Sequence, residues 1–147
     1  MGGFCMKKFF VRSTLAVVAL LIMAMPVALA NSSSYSFTMD HRYVNGKDNG
    51  VTHGLSAGSL TNSGSLWAYD KAAGAVGPYS VTIAVVQDGI IDKTICTTSV
   101  TPSKTLNVKK SYSKSCGSVP TGVYYIEAWK TNDDGWDVKA QGTLTTR

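Results

Sequence analysis

The chain reads as an all-β protein, an antiparallel β-sandwich of general immunoglobulin-like architecture, with a small open β-barrel as the alternative closure. Three observations predict this. Strict period-two alternation of apolar and polar residues recurs along the chain, as half-buried strands require. Clusters of Gly, Asn, Asp and Ser punctuate the alternating runs. Finally, two cysteines, Cys96 and Cys116, remain once an amino-terminal leader is set aside.

The leader fixes the expected compartment. Residues 1–30 carry Lys7, Lys8 and Arg12, then an apolar run from Leu15, then the small-x-small pattern Ala28-Leu29-Ala30. That is the layout of a secretory signal peptide. The apolar run, Leu15 to Ala30, is shorter than the roughly 20 residues a bilayer span needs, so a stable membrane anchor is not expected. The domain expectation is therefore a signal peptide at 1–30 and one secreted, extracellular domain at 31–147. The formal net charge of +5 falls to +2 when Lys7, Lys8 and Arg12 leave. The basic balance is thus largely a property of the leader and gives no reason to expect nucleic acid as a partner.

The first alternating run is "SYSFTMDHRY", with Tyr35, Phe37, Met39, His41 and Tyr43 on one face. The stretch "KDNGVTHGLSAGSLTNSGSLWAYDKAAGAVGP" is rich in Gly, Ser and Asn and reads as loops around short strands near 51–60 and 65–69, with one or two helical turns as an alternative at 65–76. "YSVTIAVVQDGII" alternates again through Tyr79, Val81, Ile83 and Val85. Asp88-Gly89 is a tight-turn signal; taken as a two-residue loop it places Val81 opposite Cys96, with Asp92 opposite Val85. Residues directly opposite share a face, so Cys96 points into the valine layer. "TLNVKKSY" offers a short strand through Leu106 and Val108. "GVYYIEAWK" and "WDVKAQGTL" read as a terminal hairpin joined by "TNDDG", with Trp136, Val138, Ala140 and Leu144 inward. The loop length decides which face of 122–130 is buried, and both Val123/Tyr125/Trp129 and Tyr124/Ile126/Ala128 remain candidates.

Cys96 and Cys116 are expected to form a structural disulfide. An oxidising compartment favours pairing, no C-x-x-C suggests redox chemistry, and no histidine stands near either cysteine as zinc spacing would require. Neither metal nor cofactor is expected. "GLSAG" at 54–58 matches the nucleophile-elbow string around Ser56. However, no helix follows it, and His41 and His53 both precede the serine. Asp133, Asp134 and Asp137 beside Gly135 raise calcium as a question; the ordinary reading is turn chemistry. A single glutamate, Glu127, follows the leader, which argues against paired-carboxylate glycoside hydrolysis. No catalytic constellation assembles, so no enzyme is expected.

Seven Tyr and three Trp are expected chiefly to fill the core and ordinary strand surfaces, with a ring face not used inside as the candidate for an aromatic recognition surface. Lys104, Lys109, Lys110 and Lys114 are expected either to guard an edge strand or to meet an anionic envelope. The functional expectation is a non-catalytic binding protein acting at the cell surface or on an extracellular protein or cell-envelope component. The alternative is an antimicrobial or toxin-like protein acting on membranes or envelopes.

Overall fold

The computed structural model describes residues 31–147, so the signal-peptide reading of 1–30 lies outside the described residues. Nine strands fill this region: β1 Ser32–Met39, β2 Tyr43–Asn45, β3 His53–Leu55, β4 Gly58–Lys71, β5 Val81–Gln87, β6 Lys93–Val100, β7 Lys110–Val119, β8 Gly122–Trp129 and β9 Trp136–Thr146. They form two antiparallel sheets. One has the order β1-β9-β4-β7; the other has β2-β8-β5-β6, with β3 also paired to β8. Between them lies the core, including Met39, Leu55, Leu60, Leu66, Ile83, Tyr124, Val138 and Leu144, all fully buried.

The sandwich is as expected, but its connectivity is more specific. If β2 and β3 count as one position, successive strands change sheet at every step except β5 to β6. That order is the eight-position jelly roll, whereas an immunoglobulin domain joins more of its neighbours as hairpins within a sheet. The expected terminal hairpin is accordingly wrong. β8 and β9 lie in opposite sheets and face each other across the core. The "TNDDG" segment spans the layers because Lys130 turns inward and is buried there with Asp134. This crossing also settles the parity of β8: Tyr124, Ile126 and Ala128 join the main core, and Val123, Tyr125, Glu127 and Trp129 face outward.

Other expectations shift for local reasons. β1 ends at Met39, and the chain bends over Asp40–Arg42 before β2 joins the other sheet. His41 is therefore exposed rather than set on a buried apolar face. The β5–β6 connection is five residues, Asp88–Asp92, with Gln87 opposite Lys93. A bulge at Ile95 follows, and Cys96 meets Val85, not Val81. Val81 and Val85 share a face, so the inward aim of Cys96 survives the change of register. Leu106 and Val108 lie in a loop whose Asn107 adopts φ +63°, and the strand begins only at Lys110.

β4 is the least legible strand. Its fourteen residues run unbroken, with Leu60, Asn62, Gly64, Leu66 and Ala68 on the inner side. Asn62 and Gly64 break the apolar pattern because they receive tyrosines. Tyr35 Oη donates to Asn62 Oδ1 at 2.6 Å and shares a 2.5 Å hydrogen bond with Tyr112 Oη. A Cβ at Gly64 would lie 2.7 Å from the Tyr112 hydroxyl, and one at Gly142 would lie 2.5 Å from the Tyr35 ring. Two glycines, directly opposite one another, thus make room for a pair of buried phenols.

The Cys96–Cys116 disulfide is formed, with the Cα atoms 5.3 Å apart. It ties β6, the edge of one sheet, to β7, the edge of the other, and so closes one side of the sandwich. Lys110 and Lys114 stand on that β7 edge, opposite the inward residues Leu66 and Asn62. Charges so placed discourage pairing with another strand. Lys109 covers the Trp67 ring at 4.8 Å.

Candidate functional site

The residues singled out from sequence do not converge. Ser56 sits in the link between β3 and β4, two strands in different sheets, without the strand-turn-helix of a nucleophile elbow. His53 lies on β3 and is buried; its Nδ1 is 2.8 Å from Ser33 Oγ. Burial pushes the imidazole pKa down and so favours the neutral ring. Its Nε2 is buried without a hydrogen-bond partner, so no carboxylate orients the ring as nucleophilic catalysis would require.

The three aspartates go to separate tasks. Asp133 accepts from Gly135 N–H at 3.0 Å. Asp134 is buried and accepts from Lys130 Nζ at 2.6 Å, Tyr79 N–H at 2.6 Å and Trp136 N–H at 3.0 Å. Burial alone would raise its pKa, but these three donors overcome that and hold it below the usual carboxylate range. Asp137 lies instead near Asp40 and Asp70, where burial, then those two negative neighbours, push its pKa up. Among the described residues, no group of three metal-ligating side chains is placed to hold an ion.

What does converge is the outer face of the second sheet. Strand pairing arranges it in rows. Tyr43, Trp129, Thr82 and Ser99 lie side by side across β2, β8, β5 and β6, and the next row is Asn45, Glu127, Ala84 and Thr97. Tyr43 is half exposed and Trp129 partly so. Trp129 packs against a small outer cluster of Ala84, Val86 and Tyr125. The small side chains of Ala84 and Val86 leave the space the rings occupy.

Hydrogen bonds fix the polar groups among these rings. Tyr43 Oη donates to Glu127 Oε1 at 2.7 Å, and Asn45 Nδ2 donates to Tyr43 Oη at 3.3 Å. The bond to Glu127 raises the Tyr43 pKa, so the phenol stays protonated at neutral pH. Thr82 Oγ1 and Ser99 Oγ are 3.2 Å apart. At one end, Asp92 accepts from Lys47 Nζ at 3.1 Å and from Tyr125 Oη at 3.1 Å. Burial first, and then that bond, push the Tyr125 pKa up to about 12. The result is a fixed aromatic pair with a carboxylate, an amide and two hydroxyls beside it. Such a surface stacks on flat apolar faces and hydrogen-bonds hydroxyls at their edges.

The number of Tyr and Trp is plain in the sequence, but Tyr43 and Trp129 could not be paired before the parity of β8 and the sheet change after Met39 were known. Nothing in the sequence joins Lys47 to Asp92, which the two-residue turn reading places opposite Val85. They lie 45 residues apart and meet only through the topology.

No family model matches the sequence, and comparison with curated proteins gives no match. Several solved structures are similar in shape. The carbohydrate-binding module from Cellvibrio mixtus lichenase 5A, solved with cellotriose, shares 10% identity over 82% of this chain and 92% of its own, with a TM-score of 0.48. The Yersinia pseudotuberculosis-derived mitogen shares 12% identity over 82% and 88%, with a TM-score of 0.36. A structure of infectious bursal disease virus, Gt strain, shares 13% identity over 79% of this chain but 31% of its own, with a TM-score of 0.43. The fold of this chain is established by its own strand order and register, not by these likenesses.

Proposed function

We propose that the protein is an exported, non-catalytic binding domain that recognises a glycan-bearing component of the cell envelope through the outer face of β2, β8 and β5. One observation carries this reading. Tyr43 and Trp129 stand opposite one another on an exposed sheet face, with Glu127 and Asn45 hydrogen-bonded into the same patch. Sugars present apolar C–H faces and hydroxyl edges, and that pattern matches rings flanked by acceptors and donors. Export is read from the leader and agrees with the disulfide.

The test is binding of the purified protein to insoluble envelope fractions and to a glycan array, with Trp129→Ala and Tyr43→Ala beside the wild type. Each variant is expected to lose most of the retained protein while keeping a folded circular dichroism spectrum. Undiminished binding by both variants would remove this face from consideration. The alternative, membrane attack, draws less support. Lys109, Lys110 and Lys114 are spent along an edge strand and over Trp67 rather than gathered on an apolar face.

A further inference from the structure

The disulfide closes one side of the sandwich, but the other side is open. There, between β1 and β2, lies a cavity of about 250 Å³ lined chiefly by Tyr35, Phe37, Val44, Val51, Ile126 and His53. It is mostly apolar, and Val51 at its wall is itself 41% exposed. Elsewhere on the surface the chain carries a complementary feature. Ile90 and Ile91, at the tip of the β5–β6 connection, are 107% and 88% exposed. No other large apolar side chain among the described residues is exposed to that degree.

This tip is held in place from below. Asp92 accepts from Gly89 N–H at 3.2 Å, from Tyr125 Oη and from Lys47 Nζ. Lys47 Nζ also lies 2.7 Å from Asp88, whose own N–H donates to Val123 O at 2.9 Å. A loop so pinned presents its two isoleucines instead of folding them away. Adjacent, almost fully exposed isoleucines on an ordered loop form an apolar tip that burial against a partner would stabilise.

We propose that two copies of the chain dimerise reciprocally, each inserting its Ile90–Ile91 tip into the open apolar cavity between β1 and β2 of the other. Two aliphatic side chains are of a size to enter a cavity of this volume. The segment 46–51 connects the two features: Lys47 braces the tip, and Gly46, Asn49 and Val51 line the cavity. A tip and a socket that border one loop suit exchange about a two-fold axis, which buries both and closes the assembly. A lipid surface is the poorer occupant. Asp88 and Asp92 offset Lys47 and Lys93 around the tip, leaving no basic excess to meet anionic headgroups. The contact is small, so the dimer is a transient one.

Sedimentation equilibrium on the chain expressed from Met1, in the form the cell yields, tests this. The wild type is expected to dimerise with rising concentration. Ile90→Ser with Ile91→Ser removes the tip, and Val51→Trp fills the socket; each variant alone is expected to remain monomeric. Both changes fall at exposed positions, so unchanged melting curves confirm that folding is intact. Mixing the two variants restores one tip and one socket, and a heterodimer weaker than the wild-type dimer is expected. A wild type that stays monomeric at about 1 mM, or a tip variant that dimerises like the wild type, overturns the proposal. So does a monomeric wild type that binds phosphatidylglycerol vesicles through the isoleucines.

Discussion

Replacing Asp134 by asparagine should be among the most damaging polar substitutions in the domain. Its carboxylate accepts from Lys130 Nζ, Tyr79 N–H and Trp136 N–H, and both members of the ion pair are almost wholly buried. Lys130 Nζ has one further acceptor, Trp136 O, at 2.5 Å. Asparagine keeps one acceptor oxygen but turns an N–H₂ toward groups that are themselves donors. It also leaves a buried ammonium without its counter-charge. Removing one partner of a buried pair costs about 3–5 kcal/mol, a large share of the 5–15 kcal/mol typical of a domain. For a chain of this length the melting temperature should fall by roughly 10–20 °C. Urea unfolding followed by tryptophan fluorescence is the assay, with the midpoint expected to fall and the slope to hold. Lys130→Met adds a sign test. The folded Asp134 has a lowered pKa, so its contribution is present above the unfolded value and lost as pH falls through the folded one. Without the ammonium the folded pKa rises, and acid unfolding should begin at higher pH than in the wild type. A loss under about 1 kcal/mol for Asp134→Asn would refute the reasoning, because it would mean the pair is solvated rather than buried.

Three further outcomes are expected. Cys96→Ser with Cys116→Ser should cost about 3 kcal/mol, since the bridge closes a loop of sequence separation 20; calorimetry of the oxidised and double-serine forms measures it. Gly142→Ala should cost about 1–3 kcal/mol or more, because its Cβ would meet the Tyr35 ring at 2.5 Å and Ser63 O at 2.6 Å, whereas the neighbouring outward change Thr143→Ala should be nearly neutral in the same denaturation series. His53 has a lowered folded pKa, so the unfolded chain binds its proton first and stability should fall as pH drops below about 6.5; His53→Gln should flatten that part of the stability–pH curve.

How legible the fold was depended on whether a residue's inner or outer position could be read from its neighbours alone. β1 and β9 alternate cleanly, and their inner sets were readable, since each apolar residue faces the core; in β5 Val81, Ile83 and Val85 do the same, whereas Ala84 and Val86 turn to the outer cluster. β4 was hidden because its inner face accepts phenols from β1 and β7, so an asparagine and a glycine stand where valines would have announced a strand. The β5–β6 loop was misjudged because Asp88-Gly89 carries the signal of a two-residue turn, yet Asp92 is held in the loop by Lys47 and Tyr125. One partner lies in the turn after β2 and the other on β8, and a local pattern cannot report them.

The candidate face follows from the same long-range logic. In a hairpin, β8 and β9 would share one sheet, and "TNDDG" would be a solvent-facing turn. In the jelly roll, the connection crosses the core, and its crossing is stabilised by Lys130 and Asp134 beneath Trp136 and Tyr79. That buried pair fixes where β8 ends. The parity of β8 then sends Tyr124 and Ile126 inward and leaves Glu127 and Trp129 outward, opposite Asn45 and Tyr43. A residue inserted between Trp129 and Asp134 would displace the buried ion pair from the end of β8 and lower stability, while the ladders to β2, β3 and β5 hold Glu127 outward and Ile126 inward. The aromatic pair and the buried pair are separate in chemistry, but one strand's register carries both.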